Sequence, residues 1–124
     1  APLIYVTITE ADTPLDSTAR LESIYAPDFT GPPIPGPGHL VGRRMAPDSP
    51  YRDEIIYYQP RSEKPYVARC LAEETEDIPA TCIREVAIGQ GLTMIYRFNR
   101  AWLGNWPDME SRLVRLVAGF PRNG

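Results

Sequence analysis

One histidine, two cysteines and a single lysine leave little from which to assemble a metal centre or a nucleophilic active site. A structural zinc ion takes about four thiolate or imidazole ligands, and Cys70, Cys82 and His39 fall short of that set. Eleven residues separate the cysteines, too many for the close C-x-x-C spacing of a thioredoxin-like redox pair. A P-loop, a dinucleotide fingerprint, a GxSxG elbow and an HExxH helix are all missing, so no signature of phosphate, cofactor or zinc-hydrolase chemistry is present. No metal and no cofactor are expected, and the reading leans away from an enzyme. The basic residues, all arginine except Lys64, are scattered and the formal charge is −3, so nothing marks a nucleic-acid surface. No apolar run approaches the ~20 residues of a membrane-spanning helix.

What is present is enough for one folded body. A chain of 124 residues with 43% hydrophobic side chains has the size and composition of a single domain, 1–124. Fourteen prolines are spread unevenly: residues 26–50 hold seven of them and four glycines. That density breaks helices and removes ladder donors. The stretch reads as a linker or as an irregular strap pinned across the domain by Phe29, Ile34, Leu40, Val41 and Met45, and these apolar anchors favour the strap. The compact sheet-plus-helix core is expected over 53–124.

Residues 3–9, LIYVTIT, are β-branched or aromatic at most positions and read as a strand. DSTARLESIY suggests a short helix capped by Asp16 or Ser17, with Leu21, Ile24 and Tyr25 inward. EIIYY, YVARCL, CIREVAI and LTMIYRF then read as four strands, the last two joined by the short turn GQG. In NWPDMESRLVRLVAGF, Pro107, Asp108 and Glu110 suit a helix start. Met109, Leu113, Leu116, Val117 and Phe120 form its apolar stripe, and Gly119 and Pro121 end it. The fold class is therefore α+β: a four- or five-stranded antiparallel meander with a C-terminal helix packed on one face and a Pro-rich N-terminal strap.

Pairing across GQG sets Ile88 opposite Leu92, Val86 opposite Met94, Arg84 opposite Tyr96 and Cys82 opposite Phe98. Setting Cys70 opposite Cys82 extends the register to Ala68 with Arg84, Val67 with Glu85 and Tyr66 with Val86. One face then collects Ile56, Tyr58, Tyr66, Cys70, Cys82, Val86, Ile88, Leu92, Met94, Tyr96 and Phe98, which suits a helix. Arg84 is a misfit there and needs an edge position or a carboxylate. The other face is mixed, with Tyr57, Val67, Arg69, Leu71, Ile83, Glu85, Thr93, Ile95 and Arg97.

Facing cysteines on adjacent strands favour a Cys70–Cys82 disulfide over two buried thiols, and a disulfide points to an oxidising compartment, periplasmic or extracellular. A chain starting at Ala1 fits removal of a signal peptide or anchor. The acidic segment between the cysteines lacks the ligand alternation and turn glycine of a calcium loop and reads as a solvated hairpin tip. Trp102 and Trp106 either seal the core or form a binding platform. His39, in the strap, reads as a bystander.

Three functional classes follow. The first is a non-enzymatic envelope or secreted domain that binds a protein partner. The second is an inhibitor or immunity protein acting through Glu73, Glu74 and Glu76. The third is a binder of small anionic ligands, or a weak enzyme, using Arg69, Glu85 and Arg97, whose plainer reading is a surface ion-pair ladder.

Overall fold

The computed structural model describes residues 3–10, 17–61, 65–89 and 91–119. Asp16, Gln90, Phe120 and Pro121, which the sequence places at a cap, a turn, the helix stripe and the helix stop, lie outside them. Seven strands among the described residues form one open antiparallel sheet: β1 Tyr5–Glu10, β2 Phe29–Pro35, β3 Val41–Met45, β4 Glu54–Tyr58, β5 Val67–Leu71, β6 Thr81–Gly89 and β7 Leu92–Asn99. Their order is β1-β7-β6-β5-β4-β3-β2. Strands β2 to β7 are a meander, and β1 returns to flank β7.

The expected count of four or five strands is too low because the Pro-rich strap is itself a hairpin. β2 pairs β3, and β3 pairs β4. Leu40 and Met45 are buried as the anchors require, while Phe29, Ile34 and Val41 are half-buried. β2 accommodates Pro32, Pro33 and Pro35 because it is an edge strand, where one side of the backbone has no ladder to supply. Its register also shifts between Thr30 and Ile34. The hairpin closes through Gly36 N–H donating to the Leu40 carbonyl at 2.8 Å. Beside it, a Cβ on Gly42 would lie 2.8 Å from Ile34 Cγ1 and 2.9 Å from Tyr57 Cε1, so only glycine lets this strand pass so close.

The predicted register holds at Val86–Met94, Arg84–Tyr96, Cys82–Phe98 and Cys70–Cys82. It fails at the GQG end, where Gly89 and not Ile88 meets Leu92. Gly89, at φ 91°, absorbs a bulge that no β-branched residue would accept. It also fails in β4, where Ile55 lies opposite Cys70 and Tyr57 opposite Ala68. Ile55 and Tyr57, not Ile56 and Tyr58, therefore belong to the helix face, a one-residue slip that exchanges the faces of the whole strand.

A chain segment from β1 runs through α1 (Ser17–Arg20), a π-turn (Leu21–Tyr25) and a 3-10 turn (Ala26–Asp28) into β2. At the other end, a 3-10 turn (Arg100–Asn105) leads into α2 (Trp106–Ala118). The helix lays Met109 and Leu113 on a core of Leu40, Ile55, Tyr57, Tyr66, Cys70, Cys82, Met94, Tyr96, Phe98 and Leu103. Its buried arc differs from the expected stripe: Leu116 is 58% exposed, and Glu110 takes an inward position. Trp106 stacks on Tyr66 with ring centroids 4.5 Å apart and donates to the Gly38 carbonyl at 3.1 Å. A smaller cluster on the opposite face joins Tyr25, Met45, Ile56 and Val67 to Leu21, Ile24, Phe29, Tyr51 and Tyr58. That cluster covers the β2–β5 half of this face.

No helix among the described residues is long and apolar enough to cross a membrane.

Candidate functional site

On the part of the opposite face over β1, β7 and β6, Tyr5, Thr7 and Arg97 are exposed while Thr93 is buried at 1%. Strand register fixes what each row of that part contains, because directly paired residues share a face. One row runs Tyr5, Arg97, Ile83, Arg69, Ile56; the next runs Thr7, Ile95, Glu85. A hollow of about 380 Å3 is lined by Tyr5, Thr7, Ile83, Ile95 and Arg97. A second, of about 360 Å3, shares Tyr5 and Arg97 with it and continues through Thr81, Asn99 and Trp102 to Pro79. A third and smaller one, about 80 Å3, shares Ile83 and Ile95 and ends against Arg20, Tyr25, Arg69 and Glu85. The three adjoin, so a shallow trough crosses this part of the face from Trp102 to α1.

All three residues singled out from sequence line this trough, but not as one cluster. Arg69 Nε lies 3.0 Å from Glu54 Oε2, and its guanidinium sits 4.9 Å from the Tyr51 ring centroid. Burial raises the Glu54 carboxyl above its ordinary range, opposed by the Arg69 charge. Glu85 pairs with Arg20 at 2.8 Å. Arg97 stands apart, exposed at the junction of the two larger hollows, with no hydrogen bond or ion pair among the described residues. The ion pairs the sequence suggested between strands thus go to Glu54 and to α1. Among the described residues Arg97 makes no ion pair, and its charge joins that of Arg69 in opposing the rise at Glu54.

Trp102 and Trp106 divide their roles. Trp106 packs into the core, whereas Trp102 is 40% exposed and forms one wall of the trough.

Glu73, Glu74 and Glu76 lie on the exposed loop between β5 and β6. The loop is ordered at its turn by Thr75 N–H donating to the Ile78 carbonyl at 2.9 Å and Ile78 N–H donating to Thr75 Oγ1 at 3.0 Å. At its base Cys70 and Cys82 are joined by a disulfide. Arg100 adds a clamp: its Nη1 donates to the carbonyls of Leu71 and Ala72, both at 2.8 Å. The acidic tip is therefore held at the Pro79 end of the trough. His39 is exposed in the β2–β3 turn.

The polar network that sequence reasoning missed is buried on the helix face. Pairing of β5 with β6 stops at Arg69–Ile83, so the expected Ala68–Arg84, Val67–Glu85 and Tyr66–Val86 pairs do not form. Past that point Arg84 and Glu85, adjacent on β6 and directed to opposite faces, both hold α1. Arg84 Nη1 donates to Ser17 Oγ at 2.7 Å, and Glu85 meets Arg20. Arg84 is 5% exposed, with Nε donating to Glu110 Oε1 at 2.9 Å and its guanidinium 4.6 Å from the Tyr66 ring centroid. Tyr96 O–H donates to Glu110 Oε1 at 3.0 Å, and the Tyr66 and Tyr96 hydroxyls are 2.9 Å apart. The expectation that Arg84 finds a carboxylate is met. The signal for which one was available: Glu110 is one turn before Leu113 on the same helix face.

Burial, with the Glu110 charge nearby, pushes both tyrosine hydroxyls well above their ordinary value of 10.0. Their folded pKa values exceed the unfolded ones, so their contribution is intact below about pH 10 and is lost as pH rises beyond it. Urea midpoints should therefore fall steeply above roughly pH 10, and the double variant Tyr66→Phe/Tyr96→Phe should flatten that fall. A midpoint equally steep in the variant would remove the tyrosines as its cause.

Among the described residues no group of three or more His, Cys, Asp or Glu is placed to hold a metal ion. The trough brings together two exposed aromatic rings, two isoleucines and a guanidinium that makes no ion pair among the described residues, beside an acidic loop. No family model, curated protein or solved structure matches the chain.

Proposed function

We propose that this chain is a non-enzymatic protein-binding or accessory domain that works in the periplasm or outside the cell, with its partner seated in the trough. The observation that carries this reading is the contrast between the two halves of one sheet face. Apolar residues of the Leu21–Tyr25 segment cover the β2–β5 half, while Tyr5 and Trp102 are exposed over the other half, flanking an exposed Arg97 that makes no ion pair among the described residues. Aromatic and arginine side chains are those enriched at energetically dominant contacts. The intramolecular disulfide fits a location outside the reducing cytoplasm. A partner in the trough would also reach the acidic tip through Pro79, so charge on both sides of the contact would tune its encounter rate.

Photo-crosslinking tests this directly. A photoreactive residue at Tyr5 or Trp102 should give a discrete adduct in envelope extract, and one at Arg52, exposed outside the trough, should not. Arg97→Glu should lower the yield at Tyr5 by roughly tenfold, as expected for loss of a dominant contact. Equal labelling at all three positions would refute the site.

A further inference from the structure

A separate hollow of about 200 Å3 opens at the start of α2. Its floor is Met109 and Leu113, buried at 7% and 8%, with Ile4 beside them. Its rim is Trp102, Asn105, Asp108 and Arg112, all exposed. Packing explains little of that rim. The turn that carries Trp102, Arg100–Asn105, buries only Leu103 and leaves the indole 40% exposed. Asn105 stands at the N-cap of α2, where an asparagine ordinarily accepts from a backbone N–H of the first turn. Its side chain makes no cap bond and borders the hollow instead. Asp108, in the first turn, answers the positive end of the helix. Arg112 in turn answers Asp108, with Nε 3.1 Å from Oδ2.

We infer that this hollow receives one ring of a neutral saccharide. The inference goes beyond the trough reading and does not rest on it, although Trp102 borders both. A pyranose ring carries C–H groups on its faces and hydroxyls around its edge, and each hydroxyl both donates and accepts. It therefore needs an apolar surface to lie on and planar polar groups beside it. The indole of Trp102, with Met109 and Leu113 below, supplies the surface. Among the rim groups an amide both donates and accepts, a carboxylate accepts and a guanidinium donates. A charged ligand suits the hollow less well. The helix end is met by Asp108 and Asp108 by Arg112, so a carboxylate or an ammonium would have to compete with a pair already formed. A wholly apolar ligand would strip water from the Asn105 amide and give nothing back. The volume is below the usual range of small-molecule pockets, which limits the occupant to a single ring. The exposed rim lets the rest of a glycan continue into water.

Amide and indole NMR on the full chain tests this, with the methyl glycosides of glucose, galactose, mannose and N-acetylglucosamine as probes. At least one should shift the Trp102 indole N–H and the Asn105 and Met109 amides, with a dissociation constant of roughly 1 mM. Trp102→Ala should weaken that binding about tenfold, and Trp102→Phe, which keeps an aromatic face, by less than about threefold. Asn105→Ala removes a side chain that makes no cap bond. It should leave the urea midpoint unchanged and weaken binding about fivefold through one lost hydrogen bond. Glucuronate should bind more weakly than the neutral glucoside. Absence of shifts with all four glycosides would overturn the inference, as would binding indifferent to Trp102→Ala. So would tighter binding of glucuronate, or shifts confined to Tyr5, Thr7 and Arg97, which would place the sugar in the trough.

Discussion

Replacement of Arg84 by Ala should lower unfolding stability by about 3–5 kcal/mol, the usual result of removing one member of a buried ion pair. The guanidinium is 5% exposed and meets three elements at once: Glu110 on α2, Ser17 on α1 and the Val67 carbonyl on β5. Truncation leaves the Glu110 carboxylate, whose side chain is 19% exposed, without its cation and still beside two buried hydroxyls. Partial solvation of that carboxylate places the expected loss near the lower end of the range. The paired change Arg84→Met/Glu110→Leu removes both charges and should recover more than half of the loss, since an apolar pair avoids the desolvation that the ions incur. Urea unfolding of the two variants and wild type measures this. A double variant no more stable than Arg84→Ala would mean that the Ser17 and Val67 contacts, not the ion pair, carry the effect.

The same residue shows how far a single sequence reaches. Alternation placed Arg84 on the apolar face, and that placement was right because β6–β7 pairing is regular from Thr81 to Ala87. It could not show that β5 leaves β6 beyond Ile83, where Arg84 and Glu85 instead hold Ser17 and Arg20 of α1, contacts between residues 65 or more positions apart. The residues of the trough were legible in part. Arg69, Glu85 and Arg97 followed from counting in twos, but Tyr5 and Trp102 come from β1 and from the turn after β7, which no local pattern ties to that face. Proline content misled for a physical reason. It forbids a central strand, yet an edge strand tolerates it, and composition alone does not say where in a sheet a segment lies. In β4 the observed register continues to Gln59 N–H donating to the Tyr66 carbonyl at 3.0 Å, and the length of QPRSEKP in the sequence does not fix which residue pairs first.

Removing the staple in the variant Cys70→Ala/Cys82→Ala should destabilise the protein by about 3 kcal/mol, the chain-entropy value for a loop of this size. The cysteines are 12 positions apart and almost fully buried, at 0% and 1% exposure. Loss of their sulfur atoms from the core between Phe98 and Ile55 therefore adds a packing cost to the freed loop. The effect should not appear as local disorder of the acidic tip. Arg100 still holds Leu71 and Ala72 through its side chain and Ala80 through its backbone N–H at 2.9 Å, so amide protection at Thr75 and Ile78 should survive under native conditions. The loss should fall on the global transition: a lower urea midpoint with a larger dependence on denaturant, because an uncrosslinked chain exposes more surface when unfolded. Native protein should take up no alkylating reagent until it is unfolded in reductant, when two labels should appear by intact mass. Label uptake by native, unreduced protein would show free thiols and remove the main support for a compartment outside the cytoplasm. Each single substitution should be worse than the pair, since it leaves one buried thiol able to bridge to another chain as soon as β5 and β6 separate.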